Sequence, residues 1–229
     1  MKFYITVVAV LILFLSGCQS VETETVDGKI HGIDQENETL VIYVGSHLTE
    51  EEKINNKVES EREHIEAFMV EMVGEAEIEG EVSTFEELRR FQKVEVEIQG
   101  DYTPDLVTGN ELISKHEELT KYTAEGISVI PYTKEDLVQE LTVEQGEFAL
   151  HAFNEEDNGL GQYHDSEGEH VFTLLTSRGT SEDDVRNIEE LLNIYTNSTT
   201  YIITDHEGVV LHTNDQADIE EFVEGLDNE

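Results

Sequence analysis

The chain has 229 residues, and its 53 Asp and Glu against 13 Lys and Arg give a formal net charge of −40, which repels phosphate backbones and excludes nucleic acid as a partner. A single cysteine, Cys18, excludes a disulfide within the chain and dithiol redox chemistry. The apolar fraction of 38%, with Val, Ile, Phe and Tyr recurring along the chain, fits folded domains rather than disorder.

The first segment reads as a leader. Met1-Lys2 is a basic start, and the run from Tyr4 to Leu15 is apolar except at Thr6. Such a run is too short for a membrane-spanning helix, which needs about 20 apolar residues, and small residues follow it, as in a cleaved export signal. Leu15-Ser16-Gly17-Cys18 resembles the lipobox of bacterial lipoproteins. That resemblance implies a signal peptide over 1–17 and diacylglycerol on the Cys18 thiol, with fatty acids such as palmitate. It also implies a membrane partner reached through the lipid, on the extracytoplasmic face of the cell membrane. A buried core cysteine in an ordinary anchor helix is the alternative.

Residues 18–25 form a short polar tether. Val26–Ile33 and Thr39–Val44 are rich in β-branched residues and flank the turn-like Asp34–Glu38, a predicted hairpin. Thr49 with Glu52 predicts a capped surface helix, with Ile54, Val58 and Arg62 at helical spacing. From Glu66 the period shifts toward two and predicts a strand to Ile78, with a helical alternative through Ile65, Phe68, Met69 and Met72. Val82–Leu88 predicts a single helical turn or a tight bend started by Ser83 or Thr84. Val94, Val96 and Ile98 alternate with Glu95 and Glu97, the mark of a half-buried strand. Asp105–Thr123 reads as a polar stretch, and Ile127–Ile130 as a last strand before Pro131. Short strands in this order, with one inserted helix, resemble the OB-like domains of exported lipoproteins, which implies a small closed β-barrel over 26–131.

Thr133 with Asp136 opens a predicted helix over Lys134–Leu141. Strands are expected at Phe148–Phe153, Val171–Thr176, Thr200–Thr204 and Val209–Thr213. Helices are expected from Ser181 through Tyr195 and over Asp215–Leu226, and the alternation argues for an α/β sandwich. Ser181 reads as the cap of the first of these, with Val185, Ile188, Leu191, Leu192 and Tyr195 on one apolar face. Residues 171–226 resemble the C-terminal half of a thioredoxin-like fold, within a domain over 132–229. Thr199 stands where that family carries its cis-proline, and Cys-x-x-Cys is missing, so the resemblance implies fold alone. The expected class is α+β overall, an OB-like barrel followed by a thioredoxin-like α/β domain.

Asn154, Glu156, Asn158 and Asp165 echo a calcium loop around Gly159, with Asn at position one and Asp at position twelve. A solvated acidic loop accounts for the same residues. His164 with His170, and His206 with His212, are candidate imidazole ligands; the first two could face each other only across a hairpin. His31 and His151 lie in strands and read as satisfied near the core. Paired carboxylates are too numerous to single out a catalytic pair, so no catalytic residue is assigned and no cofactor is implied. Acidic residues are spread evenly, 28 in 18–131 and 25 in 132–229, which suits the surface of a protein facing salt or alkali. The expected function is lipid-anchored binding or scaffolding with an envelope protein or ligand. The alternative is an envelope enzyme or a cation-responsive module using carboxylate or histidine ligands.

Overall fold

A computed structural model describes residues 22–47, 62–155, 163–164, 168–181 and 184–226. The chain divides into two compact units, Met1–Ile130 and Pro131–Glu229, and its class is mixed α+β with two sheets.

The first unit contains β1 (Thr23–Asp34), β2 (Thr39–Ser46), β3 (Ile65–Gly80), β4 (Lys93–Gln99), β5 (Asp105–Val107), α1 (Gly109–Ser114) and β6 (Lys121–Ile130). β1 and β2 form the antiparallel hairpin expected from their composition. The pairings β1–β2, β2–β3, β3–β6, β6–β4 and β4–β1 close into a cycle, in which only β3–β6 is parallel. Strand alternation sorts the side chains of this ring. On β4, Val94, Val96 and Ile98 are fully buried while Glu95 and Glu97 are exposed. Val26, Ile30, Leu40, Ile42, Phe68, Val70, Ile127 and Val129 join them, with Phe85 and Leu88 packed in from a 3-10 turn.

β2 is buried continuously from Thr39 to Ile42 because both of its faces are covered. Val41, Ala67 and Met69 point away from the central core and meet Leu112 of α1 and Leu119. α1 is fixed by a reciprocal capping box between Thr108 and Glu111. The polar stretch Asp105–Thr123 holds β5, α1 and a 3-10 turn, and β6 begins at Lys121 rather than Ile127. The Thr49 helix lies outside the described residues.

The second unit contains α2 (Lys134–Gln139), β7 (Phe148–Phe153), β8 (Phe172–Arg178), α3 (Ile188–Leu191), β9 (Thr200–Thr204), β10 (Val209–Thr213) and α4 (Gln216–Leu226). The sheet order is β10-β9-β7-β8, with β7–β8 parallel and the other pairs antiparallel. Leu137 and Leu141 from the α2 region, with Ile188 and Leu192, pack on Phe153 and Ile202 on one face. Ile219 and Val223 of α4 pack on Leu150, Phe172 and Ile203 on the other. The sheet therefore lies between two helical layers. α2 starts at the expected Thr133–Asp136 capping box.

The helix expected from Ser181 through Tyr195 is reduced to α3. Asp184 accepts the Arg186 main-chain N–H at 2.9 Å and its guanidinium at 3.0 and 2.8 Å, which holds a tight turn. Asn187 then adopts φ 50°, a left-handed value that Asn tolerates, and Asn193 at φ 53° follows beyond α3.

Candidate functional site

The most organised surface of the first unit follows from strand pairing. Gly126 and Ser128 of β6 lie between Glu77 and Glu79 of β3 on one side and Glu97 and Glu95 of β4 on the other. Two small residues on the central strand leave room between two rows of long ones. The result is an acidic hollow of about 170 Å³, lined also by Thr25 and Glu125. Ser128 Oγ donates to Glu79 at 3.1 Å, Thr23 Oγ1 donates to Glu97 at 2.7 Å, and the Gln99 amide donates to Glu125. Among the described residues, no group of three or more His, Cys, Asp or Glu is arranged to hold a metal ion.

A second cluster joins three separate segments. Glu66 of β3 is largely buried; its Oε2 meets His47 Nε2 at 2.5 Å and its Oε1 accepts the Tyr102 hydroxyl at 3.0 Å. Tyr102 packs edge-on against Phe68 and beside Tyr122, with ring centroids 5.1 and 5.7 Å away. Burial first, and then the hydrogen bond and charge of Glu66, push the Tyr102 phenol above its ordinary range. Both carboxylate oxygens are thereby engaged within the protein.

In the second unit His151 is buried in β7 and both its ring nitrogens are engaged. Nε2 lies 2.9 Å from the Leu141 carbonyl and Nδ1 lies 2.8 Å from Thr176 Oγ1. A carbonyl only accepts, so Nε2 carries the proton; in the neutral imidazole that burial favours, Nδ1 then accepts from the Thr176 hydroxyl. Thr204 Oγ1 donates to the same carbonyl at 2.6 Å. Desolvation lowers the His151 pKa and outweighs the Leu141 hydrogen bond that raises it. A more open hollow of about 510 Å³ lies between α2 and the β9–β10 turn, lined by Lys134, Val138, His206 and Val209 among others.

The structure places the residues singled out from sequence as follows. Leu15, Ser16, Gly17 and Cys18 lie outside the described residues, as do Glu156, Asn158 and Asp165. Asn154 is described: it sits at φ 56°, and its Oδ1 accepts from the Thr180 N–H and hydroxyl at 2.9 and 3.0 Å. Its oxygen thus ties the end of β7 to the end of β8. His164 and His170 do face each other, through an antiparallel bridge with ring centroids 4.5 Å apart. His206 approaches Glu207 at 3.8 Å, whereas His212 Nε2 meets the Leu192 carbonyl at 3.1 Å, so that second pair is not brought together as ligands. The Glu66 cluster was not found from sequence, because His47, Glu66 and Tyr102 share no local spacing.

No family model matches the chain, and neither the curated proteins nor the solved structures contain a match to it.

Proposed function

We propose that this chain is a lipid-anchored, non-catalytic binding or scaffolding protein on the extracytoplasmic face of a bacterial cell membrane. The observation that carries the reading is the lone cysteine, Cys18, placed directly after Leu15-Ser16-Gly17 at the end of a short apolar run. Three residues separate Cys18 from the first described residue, Glu22, so a lipid on Cys18 would hold the β-rich unit close to the bilayer. The closed cycle of five strands with one parallel pair supports an OB-like barrel for the first unit. The order β10-β9-β7-β8, followed by α4, supports a thioredoxin-like second domain without redox cysteines. A binding role is favoured over catalysis because Glu66 and His151, the best-organised titratable groups, spend their polar atoms on internal hydrogen bonds.

The test is metabolic labelling with a radioactive fatty acid. Wild-type protein takes up label and stays with the membrane, since two acyl chains give stable anchoring where one does not. Cys18→Ser abolishes the label and leaves the precursor uncleaved at that site. Equal labelling of both proteins overturns the anchor.

A further inference from the structure

The outermost strand of the second sheet is β8, which among the described residues pairs on one side only, with β7. Successive side chains of a strand point to opposite faces, and Leu174 and Leu175 are 37% and 39% exposed, so β8 presents an apolar side chain to solvent on each face. Sheets guard such edges with charges, proline or bulges. Here Phe172 through Ser177 contains no charge and no proline, and the only irregularity is the register shift at Thr173. Val171 to Thr180 carries no carboxylate at all, in a chain where 53 of 229 residues are acidic.

The opposite edge, β10, also exposes apolar side chains, Val209 and Val210 at 39% and 43%. Their flanks separate the two edges. β10 lies between Glu207 and Asp215, so an antiparallel copy of β10 would set carboxylate against carboxylate. β8 ends on the exposed Arg178, and the exposed Glu169 stands three residues before its start, so an antiparallel copy of β8 brings Arg178 of each chain to the end where the other carries Glu169 and sets no carboxylate against carboxylate. The Arg178 carbonyl accepts from the Asn154 N–H at 2.9 Å, which fixes that end of the strand in place.

We propose that β8 pairs antiparallel with β8 of a second copy of this chain, joining two four-stranded sheets about a two-fold axis. The contact is isologous, with the same apolar strand and the same opposite-charge ends on both sides. Repulsion between two chains of charge −40 opposes it at long range. That repulsion is screened over about 10 Å at 0.1 M salt, whereas main-chain pairing along an uncharged strand is not. The dimer is therefore expected to strengthen as salt rises, the reverse of an association held by charge.

The experiment is sedimentation of the full-length protein in excess detergent at low and high sodium chloride, with amide hydrogen exchange read in parallel. The expected result is a monomer at low salt, a dimer at high salt, and slower exchange of the Leu175 and Ser177 amides in the dimer. Leu175→Lys changes an exposed side chain and should weaken dimerisation at least about tenfold. Arg178→Glu should weaken it too, and adding Glu169→Arg to that variant should restore it. A monomer at every salt concentration overturns the proposal, as does a dimer whose β8 amides exchange unchanged or one indifferent to both charge variants.

Discussion

The Tyr102 hydroxyl donates to Glu66 Oε1 at 3.0 Å, tying the loop before β5 to the buried carboxylate of β3. Tyr102→Phe keeps the ring against Phe68 and removes only the donor. Leaving a buried acceptor short of a partner costs about 1–3 kcal/mol, so the thermal midpoint of the first unit should fall by several degrees. The pH dependence supplies a second readout. Burial and Glu66 raise the folded phenol above its ordinary 10.0, so above that pH the unfolded chain has lost a proton that the folded chain retains. Stability should fall as pH climbs past 10.0, and Tyr102→Phe should lose less of its midpoint over that range than wild type. Parallel curves for the two proteins would contradict this.

His151 has the opposite sign. Desolvation lowers its pKa in the folded state, so below the ordinary 6.5 the unfolded chain binds a proton that the folded chain excludes. Its contribution is intact above that value and is lost as pH falls. Protonation would also place an N–H at Nδ1, where Thr176 Oγ1 now donates. Thermal melts of wild type and His151→Gln, taken from neutral to mildly acidic pH, should converge as pH drops. A constant gap between them would count against a neutral, buried His151.

Gly80 ends β3 at φ +98°, and a Cβ there would lie 2.1 Å from the Val129 carbonyl oxygen of β6. The parallel β3–β6 pairing that closes the ring leaves no room for that atom, and the backbone angle is strained for any L side chain. Gly80→Ala should therefore destabilise by at least about 2 kcal/mol, whereas Gly45→Ala, with open space around it, should lie within about 1 kcal/mol of wild type. Chemical denaturation of the two variants compares them directly. Equal midpoints would show that β6 can move aside.

Local signals carried much of this fold into the sequence. The Val94-Glu95-Val96-Glu97-Ile98 alternation states which face of β4 is buried, and Thr133 with Asp136 states where α2 begins. The same Thr-x-x-acid signal stands at Thr108 and Glu111 and marks α1 inside a stretch read from sequence only as polar. The apolar period from Val185 to Tyr195 suggested a long helix, but the Asp184–Arg186 turn and the left-handed Asn187 confine it to Ile188–Leu191. What sequence spacing could not supply is convergence across strands. Glu77 and Glu97 flank Gly126 only because β6 lies between β3 and β4, and Glu66 meets His47 and Tyr102 only through pairing far along the chain.

The acidic hollow and the Asn154 loop make different demands on added ions. Glu77, Glu79, Glu95, Glu97 and Glu125 face one another around Gly126 and Ser128, so their mutual repulsion is relieved by any screening ion. Sodium chloride should raise the thermal midpoint gradually, without saturation at low concentration. Replacing Glu79 and Glu97 together by Gln should raise the midpoint in dilute buffer and flatten that salt response. A calcium site in the loop would instead give saturable stabilisation that grows with the logarithm of free calcium above its dissociation constant. Asn154 already uses its oxygen on Thr180, so calcium is expected to act as ordinary ionic strength with a modest excess for its double charge. The deciding measurement is a melt in micromolar calcium against sodium chloride at matched ionic strength. A saturating shift that Asp165→Asn removes would establish a calcium loop and reverse this expectation.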